Sequence, residues 1–275
     1  MKTRLVFALI STLLLGAAGC SSASPSPSAD TASAPAEQKA EQNLLEKVKA
    51  EGKLVIGTEG TYPPFTFHDS SGKLTGFDVE VVSEIARRIG VEPVFQETQW
   101  DALFAGLDAK RFDVIANQVG IRPDRLKTYD FSKPYTVSTA VLVTHKDNNT
   151  VTSFSDIKGL KAAQTLTSNL TDIARENGAE IVAVEGFNQA IGLLVSKRVD
   201  VTINDGLSFL DYQKQKPDTP IKVVAKHPDS AKNGFMFRKG SKELVDAFNK
   251  ALDDMMQDGT YLKISEKWFG ADVSK

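Results

Sequence analysis

Short apolar runs and helical stretches alternate along this chain from Leu54 to Phe269, and that alternation restricts what it can fold into. Strand and helix repeated many times imply an α/β fold, with mostly parallel strands and helices on both faces. Leu54-Val55-Ile56, closed by Gly57, reads as strand. A hairpin-like stretch turning at Ser71-Gly72 leads into Gly76–Ile89. There Val82, Ile85, Ala86 and Ile89 fall at i, i+3, i+4 and i+7, the spacing of an amphipathic helix. Asp78 suits its first turn and Gly90 the position past its end. Further strands are expected at 91–95, 112–116, 140–144, 161–163, 180–184, 199–203, 221–225 and 235–237. Helices are expected at 100–107, 123–127, 170–177, 189–196, 207–215, 241–258 with Ser241 as cap, and 261–269. A short helical turn is expected at 154–159.

The first residues bear on where the chain works. Met1–Cys20 has Lys2 and Arg4 in a positive start, an apolar run Val6–Leu15, and Ala17-Ala18-Gly19 before Cys20. That is the layout of a secretory signal peptide, 1–19, too short and wrongly flanked for a spanning helix. A cut before Cys matches a lipobox, although Ala17 stands where such sites more often carry Leu, so Cys20 is the expected lipidation site. An ordinary signal peptide with an incidental Cys is the plain alternative. Cys20 is the only cysteine, which excludes an internal disulfide. Durable anchoring needs more than one lipid chain. Residues 20–43 would then be the lipidated Cys and a flexible tether, because Ser21–Gln42 is rich in Ser, Ala and Pro without apolar periodicity. Removing Lys2 and Arg4 takes the formal charge from −2 to −4, which argues against a nucleic-acid surface. The three histidines, His68, His145 and His227, show no metal-ligand spacing, so no metal is expected. No later run approaches the ~20 apolar residues of a spanning helix.

In open α/β sheets, ligands bind at the carboxyl ends of strands. Four polar clusters stand at such ends: Thr58–Tyr62, Asn117–Gly120 with Arg125 beyond it, Thr165–Asn169, and Asn204-Asp205. Tyr62 and Phe65 offer aromatic walls, with Phe65 expected in the core. The amides of Asn117 and Gln118 need partners, which a ligand or neighbouring loop backbone would supply. Thr167, Ser168 and Asn169 before a helix would attract a carboxylate, or Thr167 or Ser168 would cap that helix. Asp205 suits an ammonium group, or caps the next helix. One Arg and one Asp among these clusters suit a zwitterion. No His stands in a site loop and no nucleophile–base pair is present, so neither a catalytic residue nor a cofactor is expected.

These clusters fall within a series of blocks that resembles the extracellular solute-binding proteins of polar amino-acid ABC transporters. In order they are GTEGTYPPFTFHDSSGKLTGFDVE (Gly57–Glu80), ETQWDALFAGL (Glu97–Leu107), RFDVIANQVGIRPDR (Arg111–Arg125), AAQTLTSN (Ala162–Asn169), DVTINDGLSFLDY (Asp200–Tyr212) and DGTYLKISEKWFG (Asp258–Gly270). The resemblance covers Leu44–Phe269, and the segments IANQVG and AAQTLTSN are similar to the cystine-binding branch. It implies a two-lobe periplasmic-binding-protein fold with two hinge crossovers and a ligand cleft between lobes. Lobe 1 would be 44–135 plus 233–275, and lobe 2 136–232. The lobes would close over an amino acid, L-cystine being favoured, by a hinge motion. The partners implied are an ABC permease and its ATPase, and the membrane through the lipid anchor. The implied form is a monomer on the extracytoplasmic, periplasmic or cell-surface face, with no nucleic acid bound.

By the same resemblance, Arg125 clamps the ligand α-carboxylate, which its planar fork can pair bidentately. The backbone at Gly120 and the Thr167–Asn169 loop share that carboxylate, and Asp205 holds the α-ammonium. Tyr62 and Trp100 sandwich the ligand side chain. Glu59, Gln118 and Asn169 are assigned to a second polar head. Asn117-Gln118 stand where many relatives carry Ser-Ser, and Leu166-Thr167-Ser168 where they carry a Gly-Thr-Thr type loop. Both departures fit a ligand whose far end is polar. The alternatives are cysteine or glutamine as ligand, a cyclohexadienyl-dehydratase-like enzyme using cleft carboxylates as acids, and a ligand sensor.

Overall fold

The computed structural model describes residues 43–275. The expected signal peptide, Cys20 and the tether up to residue 42 lie outside the described residues. In chain order the first elements are α1 (Leu44–Glu51), β1 (Lys53–Thr58), β2 (Thr61–Tyr62), β3 (Thr66–His68), β4 (Leu74–Thr75) and α2 (Phe77–Ile89). There follow β5 (Glu92–Glu97), α3 (Trp100–Asp108), β6 (Val114–Gly120), α4 (Pro123–Thr128), β7 (Tyr129–Phe131) and β8 (Thr136–His145). After a 3₁₀ turn at Phe154–Ile157 come β9 (Lys161–Gln164), α5 (Asn169–Glu176), β10 (Glu180–Ala183), α6 (Phe187–Val195), β11 (Val201–Asp205) and α7 (Gly206–Gln215). The last elements are β12 (Ile221–Arg238), α8 (Lys242–Gln257) and α9 (Thr260–Phe269).

The expected helix at 76–89 shows how local chemistry sets an element. Val82, Ile85 and Ala86 are buried on one face of α2. Gly90 ends it in the left-handed region at φ 87°, donating to the carbonyls of Ala86 and Arg87. Gly76 precedes it at φ 130°, where a Cβ would stand 2.2 Å from the Phe65 carbonyl oxygen. Only glycine fits there. Ser241, expected to cap α8, makes no side-chain capping bond; at φ −92° and ψ 30° its backbone is not in the extended region that N-caps adopt.

The main sheet runs β10-β9-β11-β8-β12-β6-β1-β5, with β7 also on β12, and β2-β3-β4 form a separate small sheet. Its flanks are parallel, as the strand–helix grammar predicts: β1 with β5 and β6, and β9 with β10 and β11. The centre is not. β8 and β12 pair antiparallel with each other, and each pairs antiparallel with one flank. The two expected strands at 221–225 and 235–237 are one 18-residue strand, β12. Its middle, from Lys226 to Asn233, is polar and mostly exposed, so no apolar pattern marks it. Pairing of Ser230–Asn233 with Thr139–Thr136 holds it in the sheet, with register shifts on either side.

Apolar packing falls on two sides of this centre. One set of cores draws on Val48 to Tyr135 together with Phe235 to Val273. The other draws on Ala140 to Ile221. Tyr135 and Phe235 stack at 4.2 Å where the two crossing strands enter the first set. Phe65 is fully buried in that set, as expected.

Candidate functional site

The carboxyl ends of β1, β6, β9 and β11 converge on one cleft with about 750 Å³ of unfilled space, including the part open to solvent. Glu59, Tyr62, Trp100, Asn117 and Gln118 line it from the side of the first cores. Ser168, Asn169 and Asp205 line it from the other side. Gly120, Arg125 and Thr167 stand outside that lining set and meet beside it. A Cβ on Gly120 would lie 3.6 Å from both Arg125 Nη1 and Asn169 Oδ1.

Asn117 and Gln118 sit inside β6 rather than in a loop after it, so the strand reaches further than its apolar run. Asn117 Oδ1 accepts from the Glu59 backbone N–H at 2.8 Å, and its Nδ2 donates to Glu59 Oε2 at 2.6 Å. Glu59 is 9% exposed. Burial pushes its carboxyl up to about 7, against the pull of the Asn117 bond.

Gln118 adopts φ 51°, unusual for a residue with a side chain. Its backbone N–H and its Nε2 both reach Asp78, at 2.9 and 2.6 Å. Nε2 also lies 3.2 Å from Thr136 Oγ1, and Oε1 accepts from Asn233 Nδ2 at 2.9 Å. Gln118 thus ties β6 to both crossing strands, and its amide is spent on the protein. Asp78, placed by sequence only at a helix start, is fully buried here, and burial pushes it up to about 7. An acidic residue one position inside a helix is too common for the sequence to mark it as part of the site.

Arg125 is 6% exposed. Its guanidinium donates to the carbonyls of Gly120 and Thr167, both at 3.0 Å, and lies 5.8 Å from the Trp100 ring centre and 5.1 Å from that of Phe104. Among the described residues no carboxylate lies within 4.0 Å of it. Burial lowers its pKa to about 10. Thr167 is held from the other direction as well: its N–H and hydroxyl both donate to Asp101. Ser168, not Thr167, caps α5, accepting from the Leu170 N–H at 3.1 Å. The Trp100 Nε1–H is a buried donor without a protein acceptor among the described residues.

Asp205 caps the next helix, one of the two readings the sequence left open. Its Oδ1 accepts from the Leu207 N–H at 2.8 Å and so caps α7. Its Oδ2 accepts from the Ser138 hydroxyl of β8. Burial raises its pKa. Next to it, Asn204 Oδ1 accepts from the Tyr62 hydroxyl at 2.9 Å, a bond that spans the cleft. Ser208 Oγ donates across it to the Pro63 carbonyl at 2.7 Å.

The buried carboxyls give a testable pH dependence. Glu59 and Asp78 rise from ordinary values of 4.5 and 3.8 to about 7 on folding. Their protonated forms stabilise the fold; that contribution is complete below the unfolded values and is lost as pH rises through about 7. Glu84, Asp124 and Asp258, held at about 2, act oppositely but only in more acid solution. The ligand-free protein is therefore expected to melt higher at about pH 5 than at about pH 8. Calorimetry showing a melting temperature that rises over that range would contradict this.

The model of bacterial extracellular solute-binding proteins, family 3, matches residues 54–271. The chain is 47% identical over its full length to the full-length L-cystine-binding protein TcyA of Bacillus subtilis (strain 168). It is 41% identical to the L-cystine-binding protein TcyJ of Escherichia coli (strain K12), over 86% of this chain and 90% of that one. Among solved structures, the L-cystine solute receptor of Neisseria gonorrhoeae in its unliganded open conformation is 47% identical, with a TM-score of 0.57, covering 85% of this chain and 99% of that one. An ancestral arginine-binding protein bound to glutamine is only 37% identical yet superposes better, at a TM-score of 0.77, over 80% and 98% of the two chains. The chain belongs to the bacterial extracellular solute-binding proteins of family 3.

Proposed function

We propose that this protein captures L-cystine in the cleft and delivers it to an ABC importer, as a binding protein and not an enzyme. One observation carries the amino-acid reading: a buried guanidinium, Arg125, has carbonyl partners and no protein carboxylate within 4.0 Å among the described residues. A ligand carboxylate is the anion that completes it. Asp205 across the cleft suits the α-ammonium. The names of the relatives at 47% and 41% identity support cystine.

The reading divides the chain into lobe 1, 44–135 with 233–275, and lobe 2, 136–232, consistent with the two sets of cores. β8 and β12 are then the hinge strands. Tyr62 and Trp100 wall the ligand, and the free Trp100 Nε1–H offers it a donor. Glu59 and Asn169 serve the second head. Gln118 acts behind them, through Asp78 and the hinge strands. Cys20 carries the lipid that keeps a monomer at the extracytoplasmic face; among the described residues no helix is long and apolar enough to cross a membrane.

Calorimetric titration tests this. L-cystine is expected to bind, and reductant to abolish binding; preferential binding of L-cysteine, L-glutamine or L-histidine would replace the ligand. Glu59→Gln removes the charge and keeps the shape, and is expected to weaken L-cystine about tenfold, as loss of one charge-assisted bond does. Unchanged affinity would remove Glu59 from the second head.

A further inference from the structure

Asp101, in the first turn of α3, aims its carboxylate at the opposite wall of the cleft. Oδ2 accepts from the Leu166 N–H at 3.0 Å. Oδ1 accepts from the Thr167 N–H at 3.0 Å and from the Thr167 hydroxyl at 2.6 Å. Among the described residues no Lys, Arg or His pairs with it within 4.0 Å. Its partners lie in the loop between β9 and α5, where backbone N–H groups near a helix start favour an anion.

The same residue is held a second time. Arg125, also from the first side, donates to the Thr167 carbonyl at 3.0 Å. Thr167 is therefore gripped at its N–H, its hydroxyl and its carbonyl by two charged side chains across the cleft. Beside them, Arg122 Nη1 pairs with Asp172 of α5 at 2.6 Å. Ser168 and Asn169, which line the cleft, follow Thr167 directly, so fixing Thr167 fixes their approach to a ligand.

We infer that Asp101 is a positioning residue for ligand retention: it latches the Thr165–Asn169 loop across the cleft and touches no ligand itself. Thr167 is then the keeper of the latch and not a ligand contact. The inference deepens the amino-acid-binding reading and rests on closure of the cleft around ligand. A latch formed on closure slows escape and leaves capture alone. An acid that merely favours the start of α3 would change stability and leave escape unaltered.

The test is stopped-flow binding of L-cystine to the wild type, Asp101→Ala, Asp101→Asn and Thr167→Val. Three bonds are lost in Asp101→Ala, so koff is expected to rise about tenfold with kon within about twofold. Asp101→Asn keeps one acceptor and should fall between. Thr167→Val leaves α3 untouched, removes only the hydroxyl bond, and is expected to raise koff about threefold. Unchanged koff in both Asp101 variants, or a loss confined to kon, overturns the latch. If the wild type ignores L-cystine, the ligand assignment fails and L-glutamine and L-arginine serve as probes in the same comparison. If none binds, amide exchange decides: Leu166 and Thr167 exchanging equally fast in wild type and Asp101→Asn overturns the latch, and slower exchange in the wild type supports it.

Discussion

Arg125→Ala is expected to lower amino-acid affinity by about 30-fold to a few thousand-fold, equivalent to about 2–5 kcal/mol, because it leaves the ligand carboxylate buried without its counter-charge. The fold should survive. The guanidinium's own bonds run to two carbonyls, one of them across the cleft, and its pKa is already lowered to about 10 by burial. Removing it relieves a desolvation cost as well as deleting two bonds. Melting temperature should therefore move by only a few degrees while binding collapses. Arg125→Lys keeps the charge but loses the fork that reaches Gly120, Thr167 and a carboxylate at once, and should recover only part of the affinity. Calorimetric titration of the folded variants decides it. Wild-type affinity in Arg125→Ala would remove the carboxylate role altogether.

Asp205 gives the second large effect, and two substitutions separate its cap from its proposed hold on the ligand ammonium. As the cap of α7 it accepts the Leu207 N–H; Asn caps about as well as Asp. Asp205→Asn is thus expected to keep stability and to lose about a hundredfold in affinity, since the ligand ammonium loses a charged acceptor. Asp205→Ala should lose the same affinity and about 1 kcal/mol of stability besides. Chemical denaturation and titration on the same preparations read both. If Asp205→Asn binds as the wild type does, capping is the residue's whole function.

Much of this architecture was legible because its signals are local. Apolar spacing located α2, and Gly90 located its end. The parallel flanks followed from strand–helix alternation. What the sequence concealed depends on partners far along the chain. The middle of β12 is polar, and only its pairing with β8 makes it strand. Asn117 and Gln118 extend β6 because Glu59, Asp78 and Asn233 satisfy their amides there. Asp78 meets a residue 40 positions away, and Asp101 one 66 positions away. Neither contact leaves a mark on its own segment. The clusters around Glu59, Arg125 and Asp205 were visible as polar groups at strand ends. Which of their atoms already have protein partners was not, as the Gln118 amide and the Thr167 hydroxyl show.

The crossing of β12 into the first cores also sets an order of assembly. The second cores draw on one continuous stretch, Ala140 to Ile221, so every part of them is present once that stretch has been synthesised. The first cores need Phe235, Phe237, Phe248 and Tyr261, which arrive last. During synthesis the earlier half of the chain waits for its own far end. Its helices and strands cannot be sealed before α8 and α9 have emerged, whereas the second cores already have all their buried residues by then.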